Sequence, residues 1–136
     1  MRVAELSKYS DSWIISNPDV LETDMTPLSP PLSLFVLVRA LPAWLALSRA
    51  ERRQIGGAAL ATLPEGLTFR QFDTEAFSAM CSDIWMIEGA TPRSINTAME
   101  RLRDTPLFSV PYFEFVAILP ALEDGWQAFE AEEAGV

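Results

Sequence analysis

The order of six patterned segments between Leu32 and Pro120 limits this chain to a small number of folds. Short apolar runs rich in β-branched and aromatic residues, typical of buried strands, alternate with longer stretches of helical periodicity. In chain order the segments are strand, helix, strand, strand, helix and strand. This is the order of the split βαβ, or ferredoxin-like, unit. We therefore predict an α+β domain over residues 32–120, with both helices on one face of a four-stranded sheet.

Local signals mark where the two helices begin. Ser48 and Glu51 have the spacing of a capping box, in which side-chain oxygens satisfy the first free amides of a helix. Thr91 followed by Pro92 is the start signal of the second helix. We expect Pro120 to stop the last strand. The predicted strands are 34–38, 67–73, 81–88 and 112–119, and the predicted helices are 49–63 and 91–103.

The two ends of the chain differ from this central domain. Residues 1–31 contain four of the ten prolines and show no sustained period. We interpret them as an N-terminal extension that is either unstructured or docked on a neighbouring subunit through Trp13, Ile14 and Ile15. Residues 121–136 hold five acids and no bases, and an apolar pattern of Leu122, Trp126 and Phe129 predicts an acidic C-terminal helix.

The distribution of charge argues against nucleic acid as a partner. The formal net charge is −9, but residues 32–120 hold nine acids and eight bases, so the central domain is near neutral. A protein that binds nucleic acid needs a basic patch, and the sequence has none.

Membrane insertion is not expected either. No run reaches the roughly 20 apolar residues of a membrane-spanning helix, because residues 32–47 are interrupted by Arg39 and Pro42. The first residues also lack the apolar core of a signal peptide. We therefore expect a cytoplasmic protein.

Two absences restrict the available chemistry. The chain contains no histidine, which excludes Ser-His and Cys-His nucleophile pairs, His-ligated metals and haem with a histidine ligand. Cys81 is its one cysteine, so intrachain disulfides and thiolate clusters are excluded as well. Any chemistry must then come from carboxylates, Arg, Tyr, Ser, Thr, Trp, the one thiol, or a cofactor held without these ligands. We predict that no cofactor is required, and in particular no transition metal or haem.

Charged residues inside two apolar strands give the one local indication of a site. Burying an unpaired charge costs several kcal/mol, so such residues are expected to be paired, solvated or facing a cavity. Because side chains alternate along a strand, Arg70 and Phe72 share one side of the second strand. Asp83 and Trp85 likewise share one side of the third. If the two sides coincide, Arg70 and Asp83 pair across a cavity walled by Phe72 and Trp85; the sequence leaves the register open.

Two interpretations of these charges remain. In the functional one, Arg70 holds an anionic or enolic oxygen while Asp83 or Glu114 transfers a proton, because a carboxyl with a raised pKa is a competent acid or base. In the structural one, they form an Arg–carboxylate network that stabilises the fold. The candidate catalytic residues are Arg70, Asp83 and Glu114, and the candidate substrate-binding residues are Phe72, Trp85, Tyr112, Arg39 and Arg103.

An ordered series of sequence blocks lies between residues 44 and 114. The blocks are WLALSR (44–49) with ER (51–52), FRQFDTEAFS (69–78), SDIW (82–85), LRDTP (102–106) and YFE (112–114). This series resembles the darcynin family; the resemblance covers about residues 32–123 and leaves the N-terminal extension outside. The resemblance implies a small bacterial domain similar to dimeric α/β barrel proteins, and it implies no particular reaction.

Two functions of different kinds are compatible with the sequence. The first is a cofactor-independent enzyme, a cyclase, isomerase or monooxygenase, acting on a small aromatic or polyketide-like molecule of secondary metabolism. The second is a non-catalytic small-molecule-binding or oligomerisation domain. In either case the predicted sheet leaves one apolar face bare, which is more than a soluble monomer usually exposes. We therefore predict a homodimer formed through that face, as a dimeric α/β barrel.

Overall fold

A four-stranded antiparallel sheet forms the centre of the domain. The computed structural model describes residues 30–135, so the N-terminal extension predicted for residues 1–31 lies outside them except for its last two residues. The strands are β1 (Leu32–Ala40), β2 (Thr68–Asp73), β3 (Asp83–Ala90) and β4 (Phe113–Ala121). The helices are α1 (Pro42–Leu45), α2 (Arg49–Leu60), α3 (Pro92–Asp104), α4 (Pro106–Ser109) and α5 (Gly125–Ala134).

The spatial order of the strands confirms the ferredoxin-like prediction. The order across the sheet is β2-β3-β1-β4, with every neighbouring pair antiparallel. In consequence β3 lies between β1 and β2, which are joined through α2. In the same way β1 lies between β3 and β4, which are joined through α3. Each connection is therefore a split βαβ unit.

The register of the strands separates two faces of the sheet. On one face Val36 lies opposite Trp85, and Val38 lies opposite Asp83. This is the face that carries the hydrophobic core, and we call it the helix face. The core residues, drawn from the sheet and from α2, α3 and α4, are Leu34, Val36, Val38, Ala59, Trp85, Ile87, Met99, Leu102, Leu107 and Phe113.

The other face of the sheet is formed by the alternate residues of each strand, and it is apolar at its centre. Leu37 lies opposite both Ile84 and Ala117, and Phe35 lies between Met86 and Leu119. We call this the bare face. Its exposed apolar side chains include Phe72 and Leu119, which are 45% and 50% exposed.

A capping box begins both α2 and α3, because it satisfies amides that have no partner within the helix. The sequence predicts the box at Ser48, whereas at Thr91 it predicts the N-cap without Ser94. At α2 the Glu51 amide donates to the Ser48 hydroxyl, while the Ser48 amide donates to the Glu51 carboxylate at 2.8 Å. At α3 the Ser94 amide donates to Thr91, and the Thr91 amide donates to Ser94. The helix starts predicted from sequence are therefore confirmed.

Several elements differ from the sequence prediction: β1 is two residues longer at each end, and β3 begins and ends two residues later. Two short helices, α1 and α4, were not expected; each begins at a proline, which needs no amide hydrogen bond in a first turn. Helix α2 ends at Leu60 rather than Leu63. Strand β4 continues through Pro120 instead of stopping before it. Because β4 is an edge strand, its outer side has no neighbouring strand, and the N–H group that proline lacks is not needed for strand pairing there.

A bulge in β3 depends on Gly89. The pairing shifts between Leu32, which lies opposite Ala90, and Ser33, which lies opposite Glu88, so Gly89 is the extra residue. Its φ is +84°, and a Cβ placed there would lie 2.8 Å from the Gly66 carbonyl oxygen. Both constraints favour glycine.

Candidate functional site

A cavity of about 250 Å³ lies on the helix face, between the sheet and the helices. Its walls are aromatic: Trp85 of β3 lies 5.4 Å from Phe113 of β4 and 6.1 Å from Phe69 of β2, measured between ring centroids. Trp44 of α1 packs on Phe113 at 4.9 Å. The remaining lining residues are Ala40, Leu45, Arg52, Gly56, Leu60, Gln71, Asp73, Glu75, Asp83, Leu102 and Leu107.

Asp83 is the most deeply buried ionisable group that lines this cavity, with 7% of its surface exposed. The pKa of its carboxyl is raised from 3.8 to about 6, chiefly by burial, and the hydrogen bond and negative charge of Asp73 and the charge of Glu75 contribute to this increase. A hydrogen bond from Ser82 acts in the opposite direction. A carboxyl with a pKa near 6 exchanges protons readily around neutral pH.

Two donors hold the Asp83 carboxyl in place. The Gln71 amide donates to Oδ1 at 2.7 Å, and the Ser82 hydroxyl donates to Oδ2 at 2.7 Å. Ser82 is itself positioned by the Ala40 amide, which donates to Oγ at 2.8 Å. The carboxyl is therefore held directly by Gln71 of β2 and by Ser82, the residue before β3, which is itself held by β1.

Gln71 also bridges Asp83 to a second carboxylate. Asp73 lies directly opposite Asp83 in the β2–β3 register. The Gln71 nitrogen donates to Asp73 Oδ1 at 3.2 Å as well as to Asp83. Both hydrogens of the amide are thereby used, so the part of Gln71 left to contact a ligand is its carbonyl oxygen, an acceptor.

Among the lining residues that the structure describes, Arg52 of α2 is the one cation. Its Nε donates to the Trp44 carbonyl at 3.1 Å, and its Nη2 donates to the Leu45 carbonyl at 2.8 Å. These carbonyls lie at the end of α1, so Arg52 holds the α1 wall of the cavity against α2. Against this one cation stand three carboxylic acids, Asp73, Glu75 and Asp83.

The sequence of this domain matches a known family. The model of the family described as "Darcynin, domain of unknown function" matches residues 19–135. The chain belongs to the darcynin family. Among darcynins, it is 47% identical over 74 residues to the darcynin of Chromobacterium violaceum, covering 54% of this chain and 92% of that protein. It is 34% identical over 103 residues to a darcynin homolog of Streptomyces avermitilis, covering 71% and 83%.

Solved structures with the same fold come from a different group of proteins. This darcynin is similar to a chlorite dismutase variant from Candidatus Nitrospira defluvii, with a TM-score of 0.57, 12% identity, and 79% of this chain and 48% of that one covered. It is also similar to the dimeric chlorite dismutase of Nitrobacter winogradskyi, with a TM-score of 0.50, 15% identity, and coverage of 71% and 58%. The chain thus spans about half the length of these enzymes. At such identities the likeness shows the fold alone, and it is a fold that known enzymes use.

The donor groups of the darcynin cavity do not suit a haem or a transition-metal centre. A histidine ligand is unavailable because the chain has no histidine, and Cys81 is not among the lining residues. Among residues 30–135, no group of three or more His, Cys, Asp or Glu side chains is arranged to hold a metal ion. Within the same range no helix is long and apolar enough to cross a membrane.

The structure separates the predicted pair of Arg70 and Asp83. Arg70 lies opposite Met86 and Phe72 lies opposite Ile84, which places both on the bare face. Asp83 and Trp85 lie on the helix face, so the cavity predicted between Arg70 and Asp83 does not form. Arg70 instead pairs with Glu88, with Nε 3.3 Å from Oε1.

The other predicted residues also divide between the two faces. Glu114 lies on the bare face, where its Oε2 is 3.1 Å from Arg39 Nε. Tyr112 lies just before β4 and meets the cavity residue Trp44 edge-on at 5.6 Å, but it is not itself a lining residue. The Arg103 guanidinium covers the Phe115 ring at 4.6 Å and does not line the cavity. Of the eight predicted residues, Asp83 and Trp85 line it.

Sequence reasoning missed seven polar or aromatic members of this cavity. They are Trp44, Arg52, Phe69, Gln71, Asp73, Glu75 and Phe113. A usable signal was present in β2, where Phe69, Gln71 and Asp73 alternate with Arg70 and Phe72. Choosing between these two sets of side chains requires the β2–β3 register, which is a tertiary property.

Proposed function

We propose that this domain is a cofactor-independent enzyme that binds a small aromatic molecule in the helix-face cavity and moves a proton with Asp83. One observation carries the proposal: a buried carboxyl with a pKa of about 6 opens onto an aromatic-walled cavity. Perturbed carboxyls in apolar cavities are the usual means of acid and base catalysis near neutral pH.

The arrangement of donors suits a group that must both accept and release a proton. The ionised Asp83 receives hydrogen bonds from Gln71 and Ser82, which stabilise its charge. When protonated, Asp83 can donate to Asp73, which lies opposite it in the β2–β3 register. Ser82 can then direct its hydroxyl to the Val38 carbonyl, 3.2 Å away. Asp83 thus has hydrogen-bond partners in both charge states, as is needed by a group that takes a proton from one substrate atom and returns it to another.

Cavity size and polar content favour particular reactions. An apolar cavity of about 150 Å³ holds benzene, so the 250 Å³ available here admits one ring with a short substituent. Isomerisation and cyclisation need only proton transfers of the kind Asp83 supplies. They are therefore favoured over oxygenation, for which the lining residues provide no additional group. The alternative is a domain that binds such a molecule without transforming it.

Proton transfer can be tested without knowing the natural substrate. The protein is incubated in D₂O with a library of single-ring aromatic ketones and enols, and ¹H NMR follows the loss of exchangeable C–H signals. We expect faster exchange of at least one compound with the wild-type protein than with Asp83→Asn. Binding without accelerated exchange would instead establish the non-catalytic alternative.

Two neighbouring glycines allow the location of the site to be tested with one variant and a matched control. Gly56 lines the cavity, whereas Gly57 is exposed, and a Cβ on either meets nothing within 4 Å. Gly56→Phe should fill the cavity and abolish both binding and exchange. Gly57→Phe, the same substitution one residue away, should retain both.

We also propose that the partner of this domain is a second copy of the same chain, docked through the bare face. The centre of that face is apolar, with Phe35, Leu37 and Ile84 side by side. Ion pairs lie near two opposite corners, Arg70 with Glu88 and Arg39 with Glu114. An apolar centre with a charged rim is the usual anatomy of a protein interface. The dimeric state of the chlorite dismutase of Nitrobacter winogradskyi, which has the same fold, supports this.

A further inference from the structure

The polar end of the helix-face cavity offers a ligand almost nothing but hydrogen-bond acceptors. Asp73 and Asp83 face each other there, and Glu75 lines the same cavity. The orientation of the Gln71 amide follows from these neighbours, because the reverse orientation would place its oxygen against two carboxylates. With both amide hydrogens donated to Asp73 and Asp83, Gln71 presents only its oxygen.

Arg52, the one cation among the described lining residues, already donates two hydrogen bonds to the protein backbone. Arg52 donates from Nε and Nη2 to two backbone carbonyls at the end of α1. Three acids against one guanidinium make the lining net negative at neutral pH. A ligand carboxylate or phosphate would therefore meet repulsion at the polar end, whereas a ligand cation would find acceptors without displacing any existing hydrogen bond.

The apolar walls favour the same kind of ligand. Trp44, Phe69, Trp85 and Phe113 present rings to the cavity. Aromatic faces attract cations as well as other rings, and the attraction is strongest where water is excluded. The ring of a ligand would thus pack among these four residues while its polar group reached the acids.

We infer that the substrate class of this site is a small aromatic amine, bound as its ammonium ion with the nitrogen directed at Asp73 and Asp83. This inference rests on the proposed function, because it assigns a ligand to the same cavity. It adds the requirement that the ligand carry a positive charge, which acid and base catalysis by Asp83 does not by itself impose.

Three probes of similar size test the charge requirement: 2-phenylethylamine, 2-phenylethanol and 3-phenylpropionate, titrated by calorimetry or tryptophan fluorescence. We expect the amine to bind at least about tenfold more tightly than the alcohol, as befits one close charge pair, and the carboxylate to bind most weakly. Equal or tighter binding of the carboxylate, or no detectable binding of the amine at millimolar concentration, would overturn the inference.

The pH dependence of amine binding offers a second readout. The groups that face Asp83 are Asp73 and Glu75, with Arg52 across the cavity, while β1 presents the apolar Val38. The ammonium ion needs ionised Asp83, whose ionised fraction rises about tenfold between pH 5 and pH 7 for a pKa of about 6. Affinity for the amine should rise by about the same factor.

Variants then separate this inference from the proposed function. Asp83→Asn should remove the pH dependence, Gly56→Phe should abolish binding, and Glu100→Gln on the exposed side of α3 should change neither. If the alcohol or the carboxylate binds best and Gly56→Phe removes that binding, the amine assignment fails while the cavity keeps its proposed function. If the amine binds as expected and no compound exchanges in D₂O, with aromatic aminoketones included in the library, the ligand class stands and catalysis fails.

Discussion

Asp73 and Asp83 lie directly opposite each other on neighbouring antiparallel strands, and the amide nitrogen of Gln71 donates to both. Like charges in this position are unfavourable, and burial adds to the cost for Asp83. The pair is therefore easier to maintain when one carboxyl is protonated. The protonation state of Asp83 therefore affects both the stability of the domain and the proton transfer proposed for it.

The Asp83 carboxyl should make the domain less stable as the pH rises. Its folded-state pKa of about 6 exceeds the ordinary value of 3.8, so the folded protein binds this proton more tightly than the unfolded chain does. The stabilisation is complete below about pH 4 and is lost as the pH rises from 4 to 6. Two pKa units correspond to about 3 kcal/mol in the free energy of unfolding.

Asp83→Asn should remove this pH dependence and make the domain about 2 kcal/mol more stable at pH 7, because the neutral amide still contacts Gln71 and Ser82. Chemical denaturation at pH 4, 5, 6 and 7 measures the effect. Glu100→Gln, an exposed acid-to-amide change, should leave the wild-type profile unaltered. A variant that unfolds at pH 7 would mean that Asp83 takes part in a stabilising ion pair.

Arg70→Met should leave proton exchange and probe binding unchanged. Arg70 lies on the face opposite the cavity, and its ion pair with Glu88 joins side chains that are 56% and 35% exposed. Such pairs contribute about 0–1 kcal/mol to stability, so the unfolding free energy should change by less than that. Loss of amine binding in a folded Arg70→Met protein would show that the ligand lies on the bare face.

A charge at the centre of the bare face should dissociate the proposed dimer. Light scattering of the wild type at micromolar concentration should give about twice the 15.1 kDa chain mass. Leu37→Arg, placed between Ile84 and Ala117, should return the mass to that of one chain, because an unpaired charge is costly in an interface core. Phe77→Arg is the control, since Phe77 is 91% exposed in the β2–β3 connection. A monomeric wild type would rule out the dimer.

Gly89→Ala and Gly57→Ala should change stability in opposite directions. At Gly89 the φ of +84° and the Gly66 oxygen 2.8 Å from a new Cβ predict a loss of about 2 kcal/mol. At Gly57, within α2, a Cβ meets nothing within 4 Å, and alanine should add about 0.5–1 kcal/mol. Thermal and chemical unfolding of the two variants measure both effects. Equal effects would mean that the β3 bulge does not require glycine.

Much of the fold could be predicted because its signals are local. The capping residues Ser48 and Thr91 begin helices where expected, since they act on amides within the next three residues. Pro120 was misjudged because its effect depends on whether β4 is an edge strand, and that depends on the position of β1.

The candidate site was predicted only in part, for a related reason. Asp83 and Trp85 could be found from their own strand, where a charge and a large ring alternate with aliphatic residues. Arg52 lies in α2 and reaches the cavity only because α1 ends beside it. The separation of Arg52 and Asp83 along the sequence does not indicate that the two residues line the same cavity.

By itself, the sequence determined the order of the four strands and of the helices α2, α3 and α5, the family, and the exclusion of histidine chemistry, because composition and short-range periodicity are properties of the chain alone. Only the tertiary structure decided that Gln71 and Asp73, rather than Arg70 and Phe72, share a cavity with Asp83. The physical reason is the two-residue period of a strand: a shift of one residue in register moves every side chain of β2 to the opposite face of the sheet.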